Sequence, residues 1–168
     1  MRSIVLVPLL LSVGCKDRPP TPPQSQSTMP AGSQVIAPVP ALIDRPIGEL
    51  IDSLRYLRGN FRTGLAIGDF NGQTWLPSAI LAKGDSAVSP LLECMSRRES
   101  TEATWEGTAL SLGAVCYAML RNLIIYEPPD PDGRWAGFIT QPPITDSSLA
   151  AAQAAWRIVI QRRLYGLS

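Results

Sequence analysis

The stretch that decides the predicted fold is residues 107–125, which read GTALSLGAVCYAMLRNLII. Apolar side chains fill most of its positions, and the few polar ones are scattered rather than gathered on one face. An apolar stripe this wide is typical of a buried helix, because a surface helix shows a narrower stripe. A membrane span is the competing interpretation, but Gly113 and the Arg121–Asn122 pair favour the core of a folded domain. The sequence therefore predicts a central buried helix here.

Shorter segments with helical spacing of their apolar residues flank this stretch. They are residues 46–57, 76–83, 85–98 and 147–166. Asp85 is the expected cap of the third segment, and Gly84 separates it from the second. Asn71–Gly72 predicts an irregular loop or a small hairpin, and residues 98–107 read as a polar loop. We therefore expect an all-α fold, a compact bundle of about five helices.

The two middle segments together read LPSAILAKGDSAVSPLLECMSRR, residues 76–98. This stretch resembles a single HEAT-like unit, in which a short helix, a tight Gly84–Asp85 turn and a second helix follow one another. Residues 107–125 would supply the first helix of a following, degenerate unit. Repeat arrays need three or more units, so the resemblance implies HEAT-like packing within a compact domain. It also implies a binding scaffold rather than a catalyst, and it transfers no site residues.

The amino terminus, MRSIVLVPLLLSVGC, has the layout of a secretory signal. Arg2 precedes an apolar stretch at residues 4–11, and small residues lead into Cys15. The apolar stretch is too short to span a bilayer, which needs about twenty such residues. The segment resembles a bacterial lipoprotein signal peptide, whose lipobox ends in a small residue and a cysteine, here Gly14–Cys15. The resemblance implies cleavage before Cys15 and lipidation of that residue. An ordinary signal peptide, or a start codon assigned at the wrong place, is the alternative.

The residues after this cysteine are rich in Pro, Ser, Thr and Gln. Such a segment buries too little apolar surface to offset its ordering entropy, so a disordered Pro-rich tether is predicted. A PxxP docking peptide is the alternative role. The expected organisation is a signal peptide at 1–14, the lipidated Cys15 and linker at 15–41, and the domain at 42–168. This places the protein in a bacterial cell envelope, and Lys16 after the cysteine favours the outer membrane over the inner membrane.

The composition of the chain excludes several classes of function. The chain has 15 Lys and Arg against 14 Asp and Glu, and without a basic stripe we expect no nucleic-acid partner. It has no histidine, which excludes Ser-His-Asp and Cys-His catalytic arrangements and the HExxH zinc motif. We therefore expect no cofactor and no metal, and a non-catalytic protein-interaction or inhibitor module that binds an envelope protein. The alternatives are an envelope hydrolase that uses carboxylates such as Glu93, Glu102 and Glu106, and a carrier of a small apolar ligand.

Cys94 and Cys116 remain when Cys15 carries lipid. A disulfide between them would suit an oxidising compartment, and two buried free thiols are the alternative. Counted from a loop centre near Glu102, the two cysteines lie at unequal distances along their helices. At 1.5 Å per residue this offset is about 9 Å, which favours the free thiols.

Four aromatic residues are candidates for a partner surface, because they lie in or beside the predicted loops. They are Trp105, Tyr126, Trp135 and Phe138. Aromatic side chains supply a large contact area at a low entropic cost, and core packing is the alternative.

Overall fold

The computed structural model describes residues 44–128 and 135–168, so the predicted signal peptide, lipobox and tether lie outside the described residues. The helices in the described part are α1 (Ile47–Ser53), α2 (Trp75–Leu81), α3 (Asp85–Cys94), α4 (Leu112–Leu123) and α5 (Asp146–Gln161). The strands are β1 (Arg58–Phe61), β2 (Ser100–Trp105), β3 (Thr108–Ser111), β4 (Ile124–Ile125) and β5 (Gly166–Leu167). Short 3₁₀ turns at Leu54–Tyr56 and Thr63–Leu65 flank β1.

The expectation of an all-α fold is wrong, because residues 100–111 form the hairpin β2–β3 instead of a loop and a helix start. Along β2, buried Ala103 and Trp105 alternate with the more exposed Glu102 and Thr104, as a strand with one buried face requires. The two-residue turn Glu106–Gly107 has positive φ at both positions, 50° and 79°. This is the backbone geometry of the tight hairpin turns that match strand twist.

The hairpin belongs to a three-stranded sheet with the strand order β1-β2-β3. β1 runs parallel to β2, with Arg58 opposite Glu102 and Phe61 opposite Trp105. The first of these pairs is joined by an ion pair of 2.9 Å. A second, two-stranded sheet pairs β4 with β5 in antiparallel fashion, and it ties the carboxyl end of the chain to the end of α4.

The central buried helix is confirmed, but α4 is shorter than predicted. It begins after Ser111, whose hydroxyl accepts a hydrogen bond from the backbone N–H of Ala114 and so caps the helix. Residues 112–120 are all buried. No helix in the described ranges is both long and apolar enough to cross a bilayer.

The start of α4 lies against the end of α3, and a glycine permits this contact. A Cβ atom at Gly113 would lie 2.5 Å from the carbonyl oxygen of Met95 and 2.6 Å from that of Arg97. Its backbone N–H donates to the Arg97 carbonyl at 3.0 Å, and the N–H of Leu112 donates to the Glu99 carbonyl at 2.8 Å. Two of the N–H groups that a helix start leaves unpaired are thus satisfied by the preceding chain.

The last helix, α5, follows its predicted pattern closely. Thr145 and Ser148 form a reciprocal capping box at its start. The apolar spacing predicts a buried face of Leu149, Ala152, Trp156, Val159 and Ile160. The first four are buried, and Ile160 is partly exposed. Leu164 was also expected to be buried, but it lies beyond the helix end and is 51% exposed.

Candidate functional site

Three of the four aromatic residues predicted as a partner surface come together. The ring centroid of Trp135 lies 4.8 Å from that of Tyr126 and 5.1 Å from that of Phe138, and all three pack around Trp156. Tyr126, Trp135 and Phe138 are half-buried. Trp105 is not exposed at all, because its side chain points into the core from β2. It therefore offers no surface to a partner and belongs to the core instead.

The aromatic cluster holds the segment around Gly137 onto the helices. The carbonyl oxygen of Gly137 accepts hydrogen bonds from the Tyr117 hydroxyl and from the Trp156 indole N–H, each 2.9 Å long. The same hydroxyl accepts a hydrogen bond of 2.7 Å from the backbone N–H of Ile139. Burial raises the pKa of Tyr117, so the hydroxyl keeps the proton that it donates. The contacts of the cluster are thus mainly those of packing, and a partner role for its half-buried rings stays a prediction.

Cys94 and Cys116 are bonded, with their Sγ atoms 2.01 Å and their Cα atoms 5.9 Å apart. The offset argued from the sequence does not arise, because the hairpin takes up the residues that were counted as helix. Cys94 is the last residue of α3, and Cys116 lies only four residues after the start of α4. The two cysteines therefore meet at the junction of these helices, where both are buried.

An open depression of about 760 Å³ lies where the end of β1 meets the hairpin turn. The following residues line it: Asn60, Phe61, Arg62, Thr63, Ala66, Glu106 and Gly107. Loops between fixed elements supply most of this lining, and such loops often carry binding groups because the elements beneath them are rigid. We call these residues the loop depression.

The backbone around the loop depression adopts uncommon conformations. Gly64 and Leu65 have positive φ, 70° and 64°, as does the hairpin turn. Asn122 from α4 stabilises this arrangement, because its amide donates to the Leu65 carbonyl at 2.9 Å and accepts from the Ile67 N–H at 3.3 Å. Positive φ at a bulky residue such as leucine persists only where the surroundings impose it, and such positions cluster at functional sites.

The loop depression presents one cation and one anion. Arg62 and Glu106 are exposed, and within residues 44–128 and 135–168 neither forms an ion pair. Beneath them, Trp105 lies opposite Phe61 in the sheet, and its buried indole N–H has no acceptor among the described residues. An unsatisfied buried donor is uncommon in folded proteins. Asn60, Arg62 and Thr63 belong to no recognisable sequence motif, and the local signal for this site is the Glu106–Gly107 turn between two alternating segments.

The carboxylates considered for hydrolysis do not gather in one cleft. Glu106 lines the loop depression, and Glu102 forms the cross-strand pair with Arg58. Glu93 lines a different depression of about 280 Å³ together with Asp52 and Arg97. Asp52 is engaged there in an ion pair of 2.5 Å with the Arg97 guanidinium.

The same arginine also binds Glu99 at 2.8 Å. This hydrogen bond lowers the pKa of the Glu99 carboxyl group, because it favours the ionised form. Among residues 44–128 and 135–168 no group of three or more Cys, Asp or Glu side chains is placed to hold a metal ion.

Comparisons of the chain with protein-family models, with curated proteins and with solved structures find no match.

Proposed function

We propose that this chain is a bacterial envelope lipoprotein, held by lipid on Cys15, whose domain binds a protein partner without catalysis. The anchor rests on the leader, in which Gly14–Cys15 complete the lipobox pattern. The outer membrane is the proposed location, because Lys16 follows the cysteine. The Pro-rich residues after the cysteine would let the domain reach partners away from the bilayer.

The composition of the loop depression is the observation that carries the binding role. It combines a guanidinium group, a carboxylate and an amide with partly covered apolar surface, on loops that the hairpin turn and Asn122 hold in place. Charged and polar groups around an apolar centre are the usual make-up of a protein interface. Arg62 is the residue to which we assign the largest share of partner recognition, since arginine is enriched where partners bind most strongly.

The two alternative functions find less support at this place. A glycosidase-type hydrolase needs two carboxylates about 5 to 9 Å apart, and Glu106 is the one acid among the residues that line the loop depression. A carrier of a small apolar ligand needs an enclosed cavity, whereas the loop depression is open to solvent.

Site-specific photo-crosslinking in the cells that produce the protein tests this proposal. A photoreactive side chain at Thr63 should yield a protein adduct, and the same side chain at exposed Arg45 serves as the matched control. The additional change Arg62→Glu should lower the yield at position 63 by about tenfold, since reversing an interface charge costs more than 1 kcal/mol. Equal adducts from positions 63 and 45, or a yield at 63 that Arg62→Glu leaves unchanged, would contradict a partner at this site.

A further inference from the structure

Exposed large apolar side chains are concentrated near the end of the chain. Ile125 in β4, Ile158 in α5, and Leu164 and Leu167 after α5 are between 47% and 56% exposed. In the described part of the chain, Tyr56 is the only other large apolar residue with comparable exposure. Apolar side chains grouped in this way mark a surface that contacts another molecule.

Two of these residues share a depression, and a third lies one helical turn before the segment that lines it. Ile125 and Leu164 line the same open depression of about 480 Å³, which also includes Tyr126, Glu127 and Tyr165. Ile158 lies one turn before Arg162 on the exposed face of α5, and the chain then turns at Arg163 towards the depression. We call this region the C-terminal surface and define it by Ile125, Arg157, Ile158, Arg162, Arg163 and Leu164.

The charged side chains that define the C-terminal surface are all cations. Arg157, Arg162 and Arg163 are exposed, and no acidic residue follows Asp146 in the chain. Within the described ranges none of the three guanidinium groups lies within ion-pair distance of a carboxylate, whereas Arg58, Arg97 and Arg98 are all paired.

Two acids lie beside this region. Glu127 lines the depression, and the Asp85 carboxylate accepts a hydrogen bond from the Tyr165 hydroxyl. Three cations against these two acids still leave the exposed end of α5 positive.

We infer that the C-terminal surface binds the headgroup region of an anionic phospholipid bilayer. Guanidinium groups match phosphate geometry, and isoleucine and leucine side chains beside them enter the boundary between headgroups and acyl chains. The region is open and lacks a deep groove, so a soft lipid surface fits it better than a protein segment of fixed shape. For its setting the inference rests on the proposed anchor, because a lipid on Cys15 would keep the domain next to such a surface.

Co-sedimentation with phospholipid vesicles tests the inference. The full chain with Cys15→Ala is mixed with vesicles of phosphatidylcholine alone or with about a third of phosphatidylglycerol. It should bind the anionic vesicles more tightly, and added salt should weaken this binding. Each arginine near an anionic surface raises the vesicle partition coefficient about fivefold. The combination of Arg157→Gln, Arg162→Gln and Arg163→Gln should therefore lower this coefficient by about a hundredfold.

The matched control is the combination of Arg45→Gln, Arg55→Gln and Arg58→Gln, which removes three exposed arginines elsewhere and gives the same net charge. It should retain most of the binding. Equal loss in both triple variants, or no preference of the parent chain for anionic vesicles, would overturn the inference. Because Cys15→Ala is present throughout, a negative result leaves the lipid anchor untouched, and a failed anchor leaves the vesicle result valid.

Discussion

Two polar residues inside α4 hold distant segments in place. The Tyr117 hydroxyl bonds to Gly137 and Ile139, which follow it by 20 and 22 residues. The Asn122 amide bonds to residues 65 and 67, which precede it by 57 and 55 residues. From the sequence both looked like interruptions of an apolar stripe, because their partners are too distant along the chain for any local pattern to show them.

The change Tyr117→Phe should destabilise the domain by about 1–3 kcal/mol, because it leaves the buried N–H of Ile139 without its acceptor. The pH dependence of the free energy of unfolding should also change. In the folded protein burial raises the pKa of Tyr117 above its ordinary value of 10.0. The stability that this shift provides is complete below pH 10.0 and is lost as the pH rises through the folded-state pKa.

Urea unfolding at neutral pH and above pH 10.0 measures this effect. The stability of Tyr117→Phe should fall less steeply with rising pH than that of the parent chain. Tyr165→Phe is the control. The pKa of Tyr165 is also raised, first by its hydrogen bond to Asp85, but the Tyr165 side chain is far more exposed than that of Tyr117. An unchanged alkaline slope in Tyr117→Phe would argue against the assigned role of the buried hydroxyl.

Among the secondary-structure elements, those with a strong helical period were predicted well and the strands were not. α5 forms close to its predicted place because its caps and its apolar face both arise from neighbouring residues. β2 contains few apolar residues, and its partner β1 lies about forty residues earlier in the chain. Each strand of the second sheet has only two residues, too few for any period to appear.

A disulfide between Cys94 and Cys116 joins the end of α3 to α4. It closes a loop of 22 residues that contains the whole β2–β3 hairpin. In the chain-entropy account, a loop of this length contributes about 3 kcal/mol, because the crosslink restricts the unfolded chain. Reduction should therefore lower the free energy of unfolding by about that amount.

Denaturant unfolding with and without a reductant checks this expectation, with Cys94→Ala and Cys116→Ala combined as the control. The control variant should be less stable and should not respond to the reductant. A parent chain whose stability is the same in both conditions would contradict a structural role for the crosslink. An oxidising compartment, as proposed for the protein, is where such a bond persists.

For the molecule as a whole, the location is inferred from the sequence and the binding surfaces are inferred from the structure. The leader predicts where the protein resides, and the described domain supplies surfaces that the sequence did not predict. The loop depression depends on β1 meeting the β2–β3 turn, and the C-terminal surface depends on β5 pairing with β4. Both depend on contacts between distant segments, so a local signal such as the Glu106–Gly107 turn indicates the hairpin but not the surface that it forms with β1.

The intact mass of the protein from detergent-solubilised membranes tests whether Cys15 carries the proposed lipid anchor. We predict a chain that begins at Cys15 and carries the added mass of acyl chains. In the Cys15→Ala variant this lipid mass should be absent. An unmodified chain that still begins at Met1 would contradict the proposed cleavage and lipidation. Cys94 and Cys116 would then also lack the oxidising compartment that their bond requires.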